Sequence, residues 1–321
     1  MPATPRTRLA PSPTGALHLG NARTFLINWA LARQRGQRIL LRIEDLDGPR
    51  IKRGSDRLAM DTLAWLGLDW DEGPIYQAAD LEPYRHALAR LLEGGHVYPC
   101  DATRKEIEAA QSAPHRDDHE LRYPGTNRPT PATDRDAWPS LLDAGPHAWR
   151  LIVPDGPIAF DDELHGKVSV DVQQQVGDFV VATKAGLPAY QLAVVVDDAR
   201  QEVTDVVRGD DLLRSTARQV LLYGLLGLGD PPRYAHVPLV IGEDGRRLAK
   251  RHGDTRLARY RELGVDAHRV VALLASWCGA TPRGQPVDAM TAAEFADRFE
   301  LDAIPREPVM FTHEDEAWLT R

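Results

Sequence analysis

A chain of 321 residues, 43% hydrophobic and 27% charged, has the make-up of an ordinary soluble globular protein, long enough for two domains or for one large domain with an insertion. No apolar run is long enough to cross a bilayer or resembles a secretory leader, and Cys100 and Cys278 are too few for a disulfide scaffold and suit a reducing cytosol. A formal net charge of −8 argues against binding nucleic acid over the whole surface, and nothing calls for an oligomer, so a cytoplasmic monomer is expected.

The first strand is expected over 6–10, and Pro11-Ser12-Pro13-Thr14-Gly15-Ala16-Leu17-His18-Leu19-Gly20-Asn21 follows it directly. A helix is predicted over 19–35. Ala22, Phe25, Leu26, Trp29 and Ala30 recur at i, i+3, i+4 spacing, and Gly36 is placed to end it. A strand, a tight turn and a helix start therefore meet at one histidine and one glycine. Free backbone N–H groups at a helix start attract phosphate, so this corner points to nucleotide chemistry. Arg38 to Ile43 (RILLRI) reads as a buried strand, making strand–helix–strand the opening of a parallel α/β sheet. Ligands of such sheets gather beyond the carboxyl ends of the strands, and Glu44-Asp45-Leu46-Asp47 occupies one such end.

Amphipathic helices are predicted around 54–66 and 81–93, ended near Gly67 and Gly94. From 96 to 188 Pro and Gly become frequent, and short strand-like runs appear at Trp149 to Val153, Lys167 to Val172 and Phe179 to Thr183. This stretch reads as a mixed α+β insertion. The α/β pattern returns with Gln191 to Val196 and Val203 to Arg208, followed by a leucine-rich helix over 211–226. After Gly253 the chain reads as helical, with Val270 to Leu274 its most apolar portion. The expected division is a Rossmann-type domain split into 1–95 and 189–240, an inserted subdomain over 96–188, and a basic loop with a helical region over 241–321. Two locally basic runs, Arg33 to Arg53 and Arg246 to Arg259, suit a solvated face unless a motif adjoins them.

Motifs do adjoin them. Gly245-Arg246-Arg247-Leu248-Ala249-Lys250-Arg251-His252-Gly253, taken with the His18 turn, resembles the lysine loop of the class I aminoacyl-tRNA synthetases. Arg247 to Arg251 is similar to their KMSKS motif, with arginine first and alanine third, and His18-Leu19-Gly20-Asn21 is similar to their HIGH motif. Arg8 to Ser12 (RLAPS), Leu41 to Asp47 (LRIEDLD), Ala189 to Asp198 and Thr204 to Leu213 resemble the glutamyl branch of that class. The likeness spans residues 6 to 260.

The resemblance implies a ligase that forms an aminoacyl-adenylate from ATP. His18, Gly20 and Asn21 would hold the ATP phosphates at the helix start, and Lys250 would stabilise the transition state, so His18 and Lys250 are the catalytic candidates. Mg²⁺ would accompany ATP without a dedicated protein site. The glutamate pocket it implies consists of Arg8, Ala10, Ser12, Glu44, Tyr190 and Arg208. Binding glutamate desolvates two carboxylates and one ammonium, and each needs a partner. Arg8 and Arg208 suit the carboxylates, Glu44 the α-ammonium, and the Tyr190 hydroxyl adds a directional bond. Glutamine would leave an arginine poorly paired, at about 1–3 kcal/mol.

The stretch after Gly253 is too short for the helical anticodon-binding region of a full glutamyl-tRNA synthetase. That pattern, together with Leu212 to Thr216, resembles the shortened glutamyl-Q branch, which implies glutamate transfer to the queuosine base of tRNA(Asp). The implied partners are L-glutamate, ATP and queuosine-containing tRNA(Asp), docked through a local, shape-based contact. Three alternatives stay open: a truncated synthetase that charges a tRNA 3′ end with a partner, an adenylating enzyme for another acceptor, and a non-catalytic RNA-binding paralogue. The branch often carries zinc on a Cys-x-Cys pair and a later Tyr-x-x-x-Cys, for which the matching positions are Cys100, Ala102, Tyr123 and Asn127. A structural zinc site wants four good ligands, so none is expected here, His115 and His119 being poor substitutes in an acidic, loop-like segment. Cys100 and Cys278 are expected to be buried.

Overall fold

The computed structural model describes residues 4–102, 122–130, 132–144, 147–246, 248, 254–282 and 286–321. In chain order the strands and α-helices are β1 (Arg6–Leu9), α1 (Leu19–Gln34), β2 (Arg38–Ile43), α2 (Ser55–Trp65), β3 (Glu72–Tyr76), α3 (Glu82–Glu93) and β4 (Val97–Cys100). Next come α4 (Trp138–Ala144), β5 (Ala148–Leu151), β6 (Ile158–Asp162), β7 (Gly166–Val170), α5 (Val172–Gln175) and β8 (Val180–Ala182). The remainder are α6 (Tyr190–Arg200), β9 (Asp205–Gly209), α7 (Leu213–Leu226), β10 (Arg233–Val237), β11 (Val240–Ile241), α8 (Leu257–Glu262), α9 (Ala267–Trp277), α10 (Ala292–Arg298), β12 (Val309–Met310) and α11 (His313–Leu319).

Strands β1, β2 and β3 form one parallel group, and β9, β10 and β6 another, with β7 antiparallel at its edge. The two groups meet where β1 lies beside β9. The Thr204 N–H donates to the Arg6 carbonyl at 2.8 Å, and the Thr7 hydroxyl oxygen lies 2.9 Å from the Asp205 carbonyl. From this seam the chain winds outward in both directions, and crevices at such reversals are where α/β sheets bind ligands.

Strand alternation divides the interior into two cores. On β9 Val206 faces one and Val207 the other, and on β10 Tyr234 and Ala235 do the same. The first core packs α1, β1 and β2 against α9 and α10, and the second gathers α3, β4, β5, α6 and α7. Burying apolar surface at about 25 cal/mol per Å² makes this packing the main force that holds the seam closed.

The architecture is the expected α/β fold with parallel sheets, a mixed antiparallel sheet β4-β5-β8 and a helical C-terminal region. Three details differ from the sequence reading. Gln191–Val196 lies within helix α6 rather than resembling the neighbouring strand Val203–Arg208, because α6 is buried all round from Gln191 to Asp198 and shows no amphipathic period. The β6–β7 hairpin, drawn from the 96–188 stretch, pairs with β10 instead of with β4-β5-β8. The C-terminal region also carries β12, which runs parallel to β11 and ties the chain end to the lysine-loop base.

Candidate active site

Beyond the carboxyl ends of β1 and β9 opens a cavity of about 560 Å³. Its walls bring together Arg8, Ala10, Ser12, His18, Gly20, Asn21, Glu44, Tyr190 and Arg208 from separate stretches of the chain. Each is placed by local structure. Asn28 on α1 donates to the Arg8 carbonyl at 2.8 Å and accepts from the Thr7 hydroxyl at 2.9 Å, which clamps β1 to the helix. The Glu44 N–H donates to the Pro11 carbonyl at 3.1 Å, so the end of β2 is pinned to the turn leaving β1. Tyr190 opens α6 and stays 40% exposed at the rim.

The His18 corner differs from the expected phosphate cradle. His18 caps α1, and its Nδ1 accepts from the N–H groups of Gly20 at 3.1 Å and Asn21 at 3.3 Å, while the Asn21 side chain accepts from the His18 N–H at 3.2 Å. The Leu19 N–H donates to the Thr255 carbonyl at 3.2 Å and that of Ala22 to the His18 carbonyl at 3.0 Å. The N–H groups that a helix start ordinarily offers to an anion are thus engaged within the protein. Accepting at Nδ1 puts the proton of a neutral ring on Nε2.

Behind the cavity floor sits a buried charge network. Asp198 Oδ1 accepts from the fully buried Arg42 at 2.6 Å and lies 3.4 Å from Arg8 Nε, and Arg42 Nη2 is 3.7 Å from Glu44 Oε1. Burial raises the Glu44 carboxyl above its ordinary range, a shift that Arg42 and Arg8 oppose. Glu44 is therefore a carboxylate in want of a further cation. Neither Asp198 nor Arg42 was among the site residues expected from sequence. The signal was the pair Asp197-Asp198 in the apolar run LAVVVDDA, since charges buried in such a run must be paired.

Arg208 is 5% exposed, and its hydrogen-bond partners among the described residues are neutral. Its Nη2 donates to Thr216 Oγ1 at 2.7 Å and Gln219 Oε1 at 2.8 Å, its Nε donates to His236 Nε2 at 3.0 Å, and Nη1 has no hydrogen-bond partner among the described residues. A buried guanidinium held only by neutral acceptors keeps its charge uncompensated, and an anion entering the cavity is the natural partner.

Lys250, Arg247, Ala249, Arg251, His252 and Gly253 lie outside the described residues, as do His115 and His119. The flanks of the lysine loop are described, and both reach the His18 corner. Leu248 N–H donates to the carbonyl of Val240, a cavity residue, at 3.0 Å, while Thr255 receives Leu19 and Leu257 N–H donates to the Leu17 carbonyl at 2.9 Å. At the positions matching the zinc ligands of the branch, the Tyr123 hydroxyl stands 3.5 Å from Cys100 Sγ and accepts from the Asn127 N–H at 2.9 Å, and Asn127 Oδ1 lies 3.0 Å from that hydroxyl. With Ala102 as the fourth position, one thiol, one phenol and one amide do not fit a tetrahedral zinc. No group of three His, Cys, Asp or Glu side chains suited to a metal occurs among the described residues.

The cavity lies at the seam of a doubly wound sheet, beside a histidine-capped helix start and the described flanks of the 242–257 stretch. Residues 5–318 match the family described as tRNA synthetases class I (E and Q), catalytic domain, and the chain belongs to that family. It is 46% identical over 319 residues to a glutamyl-Q tRNA(Asp) synthetase of Rhodopirellula baltica, covering 94% of this chain and 95% of that one. It is 37% identical to a glutamate–tRNA ligase of Geobacter sulfurreducens, covering 98% of this chain and 65% of the ligase. The crystal structure of a glutamate tRNA ligase from Elizabethkingia meningosepticum, in complex with its amino acid, superposes with a TM-score of 0.82 at 27% identity, over 99% of this chain and 69% of that one.

Proposed function

We propose that this protein activates L-glutamate with ATP and transfers it to the queuosine base of tRNA(Asp). The observation that carries the glutamate assignment is Arg208, buried in the cavity with neutral partners only, opposite a Glu44 that wants a cation. A free amino acid with an acidic side chain supplies what both lack. Its α-ammonium faces Glu44, its side-chain carboxylate faces Arg208 or Arg8, and Ser12, Ala10 and Tyr190 shape the space between.

In the first step an oxygen of the α-carboxylate attacks the α-phosphorus of ATP, the bond to the β-phosphate breaks, and pyrophosphate leaves. No protein nucleophile is needed, and the enzyme contributes position and charge. The His18 Nε2–H and the Lys250 ammonium are the donors we assign to the phosphate oxygens, with Mg²⁺ entering as the ATP complex. In the second step a hydroxyl of the queuosine cyclopentenediol attacks the activated carbonyl, forms the ester and releases AMP.

The acceptor is supported by the relatives. The chain is more similar to the R. baltica glutamyl-Q synthetase than to the G. sulfurreducens ligase, and it covers 95% of the former's own length against 65% of the latter's. Both cysteines are free and buried, which suits a reducing cytosol. Radiolabelled glutamate offered with tRNA from queuosine-containing and queuosine-lacking cells tests the proposal. Label is expected only in the first pool, and equal labelling of both would replace this acceptor with a tRNA 3′ end.

A further inference from the structure

Behind Arg208, away from the cavity, runs a hydrogen-bonded chain with no part in the chemistry above. Asp162, at the end of β6, accepts at Oδ1 from the N–H groups of Leu164 and His165, both at 3.0 Å. Its Oδ2 takes the His236 N–H at 3.1 Å and faces His236 Nδ1 at 2.7 Å. All these backbone partners are donors, so the carboxylate orders the ring as a fourth one: Nδ1 carries the proton and Nε2 keeps a lone pair. That lone pair receives the Arg208 Nε–H at 3.0 Å. His236 is fully buried, and burial pushes its pKa down to about 4, with Arg208 acting in the same direction and Asp162 opposing. The ring is therefore neutral at working pH.

A neutral acceptor here has a consequence for specificity. A carboxylate in direct contact with Arg208 would neutralise it and compete with the substrate. Setting Asp162 one imidazole away fixes the guanidinium's orientation and leaves its charge unspent. Thr216 and Gln219 hold Nη2 in the same neutral way, and Gln219 is itself fixed by donating to Gln191 at 2.9 Å. The guanidinium thereby keeps Nη1 buried and without a partner among the described residues.

We propose that His236, oriented by Asp162, is a positioning residue that sets the preference for a carboxylate over an amide side chain in the amino-acid pocket. The proposal rests on the glutamate reading of the cavity. Asp162 to asparagine is the sharpest probe, because either amide orientation turns an N–H group toward a donor, or reverses the imidazole tautomer and points Nε2–H at Arg208.

The experiment is pyrophosphate exchange with glutamate and with glutamine as substrates, on purified wild-type protein and on Asp162→Asn, His236→Phe and His236→Gln. Asp162→Asn and His236→Phe are expected to raise the KM for glutamate roughly ten-fold, leave the KM for ATP within about two-fold, and narrow the glutamate-to-glutamine ratio of kcat/KM. His236→Gln, which restores a neutral acceptor, should recover most of the ratio. If Asp162→Asn and His236→Gln lose activity equally toward both amino acids, the chain is merely structural and the proposal is overturned. Should His236→Phe fail to fold, those two folded variants decide it. Imidazole ¹⁵N NMR reads the geometry without any substrate: wild-type His236 should be a neutral Nδ1–H tautomer, and an Nε2–H tautomer or an imidazolium overturns the proposal even if glutamate activation holds. Absence of exchange with glutamate beside the expected tautomer would instead overturn the glutamate reading.

Discussion

The ring of His18 lies over Gly20: a β-carbon on residue 20 would stand 3.0 Å from His18 Cε1 and 3.1 Å from Nδ1. Glycine at this position is thus dictated by the imidazole rather than by backbone strain. Gly20→Ala should separate stability from activity. Alanine is the better helix former by up to about 1 kcal/mol, which offsets the cap weakened when the ring moves, so the unfolding midpoint should change little. The displaced ring should slow pyrophosphate exchange roughly ten- to a hundred-fold, somewhat less than removing a whole transition-state donor. Exchange at the wild-type rate would show that the seat of His18 is not needed for ATP.

Glu44 gives the site a pH signature. Its folded-state pKa is raised by burial, so the empty pocket gains a proton as pH falls through that raised value. A protonated Glu44 no longer attracts an α-ammonium, and a bound ammonium pulls the proton off again. The KM for glutamate should therefore climb on the acid side, above the pH where the substrate's own side chain titrates at about 4.3, while the KM for ATP stays flat. Glu44→Gln should raise the KM at every pH and remove the slope. A slope that persists in that variant would assign it to another group.

How much of this was legible in the sequence depends on how local each feature is. The β1–turn–α1 corner is contiguous, its apolar spacing and glycine placement are local signals, and His18 could be placed from it, whereas Arg8 and Glu44 came from the resemblance to the glutamyl branch. Strand β3 (EGPIY) is short, half-exposed and interrupted by Gly73 and Pro74, so it offers no alternation to read. The Asp162–His236–Arg208 chain joins β6, β10 and β9 through pairings that no neighbouring residues announce. Its one visible trace was a histidine set between Ala235 and Val237 in a buried strand, where a polar ring needs partners.

Asp198 is the hinge of the buried network, bridging Arg42 at 2.6 Å and Arg8 at 3.4 Å. Asp198→Asn leaves those two guanidiniums to share Glu44 in a site with little water. Breaking a buried pair from one side costs about 3–5 kcal/mol, and urea denaturation should show a loss of that order. The exposed Asp47–Arg50 pair is the control, since losing a pair of that kind costs under about 1 kcal/mol. Comparable small losses in both variants would mean that the network relaxes around its missing charge.

The Cys100–Tyr123–Asn127 cluster predicts indifference to metal. Its hydrogen bonds already join β4 to the 122–128 segment, so dialysis against a strong chelator should leave the thermal midpoint unchanged. Tyr123→Phe removes the hydroxyl that both partners use and should cost about 1–3 kcal/mol, because Asn127 N–H loses its acceptor. A chelator-induced drop, with zinc found in the untreated protein, would reassign the cluster as part of a metal site.

Lys250 is the residue on which the proposed adenylation leans most. The described flanks of its loop are anchored on their own, at Leu248 to Val240 on one side and at Thr255 to Leu19 on the other. Replacing the lysine side chain leaves both of those anchors in place. Lys250→Ala should leave the unfolding midpoint in place and lower pyrophosphate exchange by about a hundred- to a thousand-fold, the effect of losing one donor to a developing phosphate charge. The loss should fall on kcat, with the KM for glutamate little changed, because the amino-acid pocket is built from β1, β2, α6 and β9. A variant that exchanges pyrophosphate at near the wild-type rate would sink the assignment of this loop and leave His18 as the sole phosphate donor of the site.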